Sequence, residues 1–311
     1  MATELSVVIP VYNGAKTIGP LVQKVQEALA AGVLNGGELE IVLVNDGRTD
    51  QSDAVCEEIV RTQQGIKFIS LRRNFGEHNA VMCGLNYARG KYVAIIDDDF
   101  QNPPGEIIKL LEKAREGYDV VYSQYEVKQH NAWRNFLSWL NDWEATILLQ
   151  KPPELYLSSF KLICREVVEE IIKYRGPFPY IDGLLLRTTR NIASVLTDHL
   201  PRMEGKSNYT LRKLVRLHLN MFFNFSIMPL RLLTALGIGS FLLGLLLSLA
   251  IAIEKLENPA MPLGWASIMV AILVLSGLQM VSLGLIGEFL GKNYLDQNGT
   301  PQWVVKKEIS S

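Results

Sequence analysis

The chain has 311 residues, 48% of them hydrophobic and 20% charged, and carries a formal net charge of -1. That length supports one large domain or two smaller ones with sizeable cores, and the near-neutral balance gives no bulk electrostatic basis for a nucleic-acid partner. Three widely separated cysteines, Cys56, Cys83 and Cys164, lack the short paired spacings of zinc and redox sites and are expected to be reduced packing residues, consistent with a cytosolic location.

The opening MATELSVVIP has no basic segment followed by a long apolar stretch, so no cleavable signal peptide is expected. LSVVIPVY (5–12) and LEIVLVND (39–46) are short β-branched runs ending in polar residues, as buried parallel strands do. Between them Ile18, Leu21, Val22, Val25 and Leu29 recur at helical spacing. The pattern continues with IKFISL, a helix across HNAVMCGLNYA, a strand KYVAIID, a helix opening at Pro103 and Pro104, and a strand DVVYSQ. This alternation predicts an α/β domain with a mainly parallel sheet over residues 1–210.

Residues 211–228 begin LRKLVRLHLNMFFNF, which places Leu211, Leu214, Val215, Phe222 and Phe225 near one helical face and Arg212, Lys213 and Arg216 elsewhere. Such a helix lies in a lipid headgroup region or packs on the soluble domain. Two uncharged apolar runs follow, 232–253 and 261–287, each long enough to span a hydrocarbon core and joined by EKLENPA. They predict a transmembrane hairpin over 229–291 and a tail over 292–311. Basic residues flank the outer ends of the hairpin, so the preceding domain and both termini are expected on the cytoplasmic side.

Ligands of open α/β sheets bind at the carboxyl ends of the strands. Those ends deliver Pro10, Tyr12 and Asn13, then Asn45, Asp46, Gly47 and Asp50, then Arg72, Arg73 and Asn74, and finally Asp97, Asp98 and Asp99. In IIDDDFQNPP, Asp97 and Asp99 alternate along the strand and so can face one side. Oxygen-only donors suit Mg²⁺ or Mn²⁺ and a diphosphate-bearing substrate. The alternative is that Asp98 and Asp99 cap the helix at Pro103 or merely end the strand.

VVIPVYNG, VNDGRTD, RRNFGEHNAVMCGLNYARGKYVAIIDDDFQNPP and GLIGEFLGKNY together resemble the polyprenyl-phosphate glycosyltransferases of glycosyltransferase family 2, across nearly the whole chain and both apolar runs. The resemblance implies a GT-A fold and inverting transfer of a sugar from a nucleotide donor, with a UDP-sugar favoured, to a polyprenyl (undecaprenyl) phosphate at the cytoplasmic membrane face. It also implies contact with the lipid bilayer, a homotetramer, and a role in cell-envelope polysaccharide. By position, Pro10, Tyr12, Asn13 and Asp46 would bind the nucleotide-sugar, Asp98 would meet the donor through its backbone, and Asp97, Asp99 and Gln101 would hold the metal. Lys128, Arg134, Arg202 and Lys206 would hold the acceptor phosphate, Arg134 and Arg202 aligning best.

Four departures from the family pattern stand out. Gly14 replaces a glutamate and Asp98 an alanine, SSFKLI at 158–163 lacks the aspartate of some relatives, and RMEGKSNY puts Asn208 where a lysine is usual. A hydroxyl acceptor needs a general base. A phosphate, with its second pKa near 6, is already an anion at neutral pH, so transfer without an obligatory side-chain base is expected, with Ser158, Ser159 and Lys161 beside the sugar or phosphate. FGEHNA, with His78, tilts the sugar toward a modified pentose or aminosugar over glucose, although a structural role for His78 is the simpler reading. The alternatives are a glycan-extending transferase with a hydroxyl acceptor and a catalytically silent membrane assembly subunit.

Overall fold

A computed structural model describes residues 3–29, 33–34, 36–47, 50–125, 151–152, 155–200 and 264–311, with some helical positions between 233 and 253. Met1–Thr210 and Asn298–Ser311 form one compact unit, and Leu211–Gln297 a second. In chain order the first unit contains β1 (Thr3–Val11), α1 (Ile18–Ala28), β2 (Glu38–Asn45), α2 (Ser52–Thr62), β3 (Ile66–Leu71), α3 (Glu77–Tyr87), β4 (Tyr92–Ile95) and α4 (Glu106–Arg115). It continues with β5 (Val120–Gln124), β6 (Lys161–Cys164), α5 (Arg165–Ile171), α6 (Ile181–Thr188) and β7 (Ile192–Leu196). The second unit holds α7 (Trp265–Gln297), and the first resumes with β8 (Val305–Ser310).

The strands form one sheet in the order β7-β5-β6-β4-β1-β2-β3-β8. Strands β3, β2, β1 and β4 are mutually parallel, as the strand–helix alternation predicts. The sheet as a whole is mixed, because β6 runs antiparallel to both β4 and β5, and β8 runs antiparallel to β3. The β6 pairing matters for chemistry. Its register sets Ile95 opposite Lys161, so the chain entering β6 passes beside the residues that leave β4.

Local sequence explains the layers. Leu5, Val7, Ile9 and Val11 alternate along β1 and pack with Ile18, Leu21, Val22 and Val25 of α1 and with Ile107, Leu110 and Leu111 of α4 in one core. Full burial of each such side chain is worth roughly 1.5–3 kcal/mol. The opposite face of β1 and β2 meets α3, where a Cβ on Gly84 would come within 2.3 Å of Val8 Cγ1. Cys56 and Cys83 are buried, and burial pushes both thiols up to about 12. All three cysteines are free, as packing residues are expected to be.

The last residues, expected as a tail, instead close the sheet. The β8 strand pairs along β3, with Lys306 on Asp53 at 3.0 Å and Lys307 on Glu57 at 2.7 Å. Gln302, 6% exposed, donates its amide to the Tyr174 and Gly176 carbonyls at 2.9 and 2.7 Å.

In the second unit α7 has 33 residues, running ten positions past the expected end of the apolar run at 287, and its described side chains include exposed Ile268, Ile272, Leu275, Met280 and Leu283. Among the described residues no helix is long and apolar enough to cross a membrane. The expected amphipathic helix at 211–228 lies outside the described residues, and the first apolar run is described only in part.

Candidate active site

The predicted edge is built by the loops that leave β1, β2, β3 and β4. After β1, Tyr12 is 36% exposed and Asn13 has a left-handed φ of 57°. The Gly14 carbonyl then accepts the Thr17 and Ile18 amides at 3.0 and 2.9 Å, which starts α1. After β2, Asp46 is only 3% exposed, and its two oxygens accept the Phe75 and Gly76 amides at 2.7 and 2.9 Å. Burial still pushes its carboxyl above the usual range, against those two bonds. Asp46 thus ties the β2 loop to the β3 loop. Gly47 belongs to the same junction, since its φ is 66° and a Cβ there would sit 2.1 Å from the Arg73 carbonyl carbon. Pro10 is buried within β1, opposite Val44.

The aspartate triplet opens out in three directions. Asp97 Oδ2 accepts the Ser159 hydroxyl at 2.6 Å, Asp98 Oδ2 accepts the Tyr12 amide at 3.0 Å, and Asp99 Oδ1 accepts the Gln101 amide at 3.1 Å. Phe100, at a φ of 61°, buries its ring and turns the chain toward α4. Asp97 is under electrostatic pressure. Burial, and then the neighbouring Glu77 carboxylate, push its carboxyl up to about 7, while the Ser159 hydrogen bond works in the opposite direction.

A cavity of about 210 Å³ opens beside these acids, lined by Asp97, Gln101, Tyr125, Tyr156, Ser159 and His199 among others. Tyr125 anchors it, its hydroxyl donating to Asn102 at 2.7 Å and lying 2.8 Å from Ser158, which also accepts Ser123 at 2.7 Å. The His199 ring packs 4.2 Å from the Tyr125 ring, and its Nε2 lies 3.3 Å from the side-chain Nε2 of Gln101. The volume is below the roughly 300–1,000 Å³ of a complete small-molecule site. It therefore suits one portion of a larger ligand.

Asp97, Asp98, Asp99, Tyr12 and Gln101 are thus gathered at one sheet edge as expected. Lys128, Arg134, Arg202 and Lys206 lie outside the described residues. Lys161 departs from expectation as a sugar or phosphate neighbour. It is 3% exposed, paired with Asp182 beneath the site, and its ammonium lies over the Tyr122 ring at 5.0 Å; Tyr122 also donates to Asp182 at 2.8 Å. Tyr125, Tyr156 and His199 were not anticipated. His199, three residues before Arg202 in TDHLPR, carried the one visible signal.

Among the described residues no group of three or more His, Cys, Asp or Glu is arranged to hold a metal ion. The candidate donors are the carboxylates of Asp97 and Asp99, whose described hydrogen bonds come from Ser159 and from the Gln101 backbone amide. That set fits Mg²⁺ or Mn²⁺, which use one or two carboxylates and complete their shells with water and substrate phosphate. Zinc would ask for nitrogen or sulfur ligands.

Residues 6–172 match the family model described as Glycosyl transferase family 2. The chain is 33% identical over 308 residues to an uncharacterised glycosyltransferase of Synechocystis sp., covering 98% of this chain and 95% of that one. It is 31% identical over 315 residues to undecaprenyl-phosphate 4-deoxy-4-formamido-L-arabinose transferase of Pseudomonas aeruginosa, covering 98% and 90% respectively. Among solved structures it is similar to glucosyl-3-phosphoglycerate synthase from Mycobacterium tuberculosis, crystallised with Mn²⁺, uridine diphosphate and phosphoglyceric acid. That likeness has a TM-score of 0.54 at 19% identity, covers 71% of this chain and 76% of the other, and bears on the GT-A-like fold alone.

Proposed function

The chain belongs to glycosyl transferase family 2, and we propose that it moves a sugar from a nucleotide donor, a UDP-sugar favoured, to a polyprenyl phosphate at the cytoplasmic face of a membrane. The observation that carries this reading is the end-to-end match to enzymes named for undecaprenyl-phosphate sugar transfer, which extends through both apolar runs.

The geometry agrees with a phosphate acceptor. Position 159, beside Asp97, holds a serine whose hydroxyl donates to that carboxylate. An acid there would add another like charge to a carboxyl already raised to about 7. The lipid phosphate attacks as an anion, so no side chain has to remove a proton. Arg134, Arg202, Lys128 and Lys206 hold that anion against the sugar, arginine by its paired donors. Asp97 and Asp99, with Gln101, would hold Mg²⁺ or Mn²⁺, whose charge offsets that developing on the leaving diphosphate. Ser159 keeps Asp97 oriented for that task, and Tyr125, Tyr156 and His199 shape the cavity for the sugar.

The two apolar runs span the bilayer as a hairpin. This is supported by the fact that residues before Thr210 and after Asn298 share one sheet-containing unit. A chain that leaves that unit for a membrane and rejoins it must cross an even number of times.

Membranes containing the protein, incubated with radiolabelled nucleotide sugars, Mg²⁺ or Mn²⁺ and undecaprenyl phosphate, are expected to yield a labelled lipid-linked monosaccharide. No labelled lipid from any donor would sink the reading. Labelled polymer without that lipid would favour a hydroxyl acceptor.

A further inference from the structure

Asp98 and Gly14 meet at a single atom. Asp98 Oδ2 reaches from the end of β4 to the loop after β1 and accepts the Tyr12 amide at 3.0 Å. A Cβ built on Gly14 would lie 2.4 Å from that same oxygen, 3.0 Å from Val11 Cγ1 and 3.3 Å from Asp98 Cγ. A non-bonded carbon does not approach an oxygen to 2.4 Å, so the carboxylate and any side chain at position 14 compete for one space. The requirement for glycine here is spatial, because the backbone at position 14 is not in the left-handed region. That region is taken by Asn13, at a φ of 57°, which costs energy for a non-glycine residue and persists only when its surroundings hold it. The surroundings are the Asp98 bond to Tyr12 on one side and the Gly14 carbonyl accepting the Thr17 and Ile18 amides on the other.

We propose that Asp98 is a positioning residue for the nucleoside end of the donor, that it acts by locking the Tyr12–Asn13–Gly14 loop, and that Gly14 is the socket its carboxylate requires. The loop it fixes presents Tyr12, 36% exposed at a strand carboxyl end, where an aromatic face stacks on a base. The triplet thereby divides its work. Asp97 and Asp99 serve the diphosphate end, while Asp98 serves the other end through the backbone. This role rests on the nucleotide-sugar reading of the site.

Its test is a double-mutant cycle on the full-length protein in detergent, reading uridine diphosphate affinity by calorimetry, donor KM and kcat, and melting temperature. Asp98→Ala is expected to raise the UDP Kd and donor KM about tenfold, the effect of losing one charge-assisted hydrogen bond, with kcat within about twofold. Asp98→Asn keeps an acceptor oxygen for the Tyr12 amide and should recover most of that loss. Gly14→Ala is expected to weaken binding and lower the melting temperature in the wild-type background, yet to cost clearly less in Asp98→Ala, where the obstructing oxygen is gone and only the 3.0 Å approach to Val11 Cγ1 remains. Because the rescue is read from melting as well as affinity, a Gly14→Ala protein too unstable to assay still reports. Additive losses across the cycle, or an unchanged donor KM in Asp98→Ala, would overturn the proposal while leaving donor binding intact. A folded wild-type protein that binds neither uridine diphosphate nor any other nucleoside diphosphate would instead sink the donor reading and this role with it.

Discussion

Asp97, Asp98 and Asp99 are adjacent in sequence but take their hydrogen bonds from three different elements, the entrance to β6, the exit of β1 and the start of the next turn. Asp99 is a direct probe of the metal assignment, because asparagine keeps an oxygen for the Gln101 backbone amide while removing the charge. Asp99→Asn is expected to lower transfer at least about 100-fold, the scale of a lost electrostatic contact to the transition state, with the melting temperature unchanged. Retained activity would remove Asp99 from the site. His78 offers a pH test. It packs edge-on to Tyr180 at 5.2 Å, and burial pulls its pKa down from 6.5 to about 4, with Asp182 opposing and Lys161 assisting that shift. Between those two values the unfolded chain takes up a proton that the folded chain refuses, so stability declines as pH falls through that window, by at most about 3 kcal/mol. Urea midpoints should show this acid limb in the wild type and a flatter one in His78→Gln. Equal limbs would mean that His78 is not held neutral.

At the scale of elements, the four parallel strands and the helices α1, α3 and α4 were legible because each carries its own periodicity and the strands end in polar clusters. Strands β6 and β8 were not. Each finds its antiparallel partner across a long stretch of chain, so no local pattern announces the pairing. Yet β6 brings Ser159 to Asp97, and β8 puts Lys306 on Asp53, whose other oxygen accepts Asn45 and Ser70 at 2.6 and 2.8 Å behind the β2 loop. Deleting residues 305–311 should therefore lower the melting temperature of the protein by at least about 5 °C and leave β3 as an exposed edge prone to association. A protein that melts unchanged without those residues would show that β8 contributes only contact, not stability.

For the whole molecule, the return of the chain into its first unit constrains the topology of everything between. In intact cells a cysteine at Glu257→Cys, in the connection between the apolar runs, is expected to react with a membrane-impermeant maleimide, while one at Asn298→Cys reacts only after lysis. Equal protection of both positions would overturn the hairpin. By itself the sequence determined the α/β class, the sheet edge where chemistry gathers, the two apolar runs and the family, because strand and helix periodicities and clustered acids are local signals. It also exposed Gly14 and Asp98 as two separate oddities. Only the tertiary structure decided that they are one contact, that Lys161 is paired inside the fold, and that the final residues complete the sheet. The physical reason is common to all three: steric exclusion, ion pairing and strand pairing act between atoms a few ångströms apart in space, and the residues involved lie 21 to more than 200 positions apart along the chain.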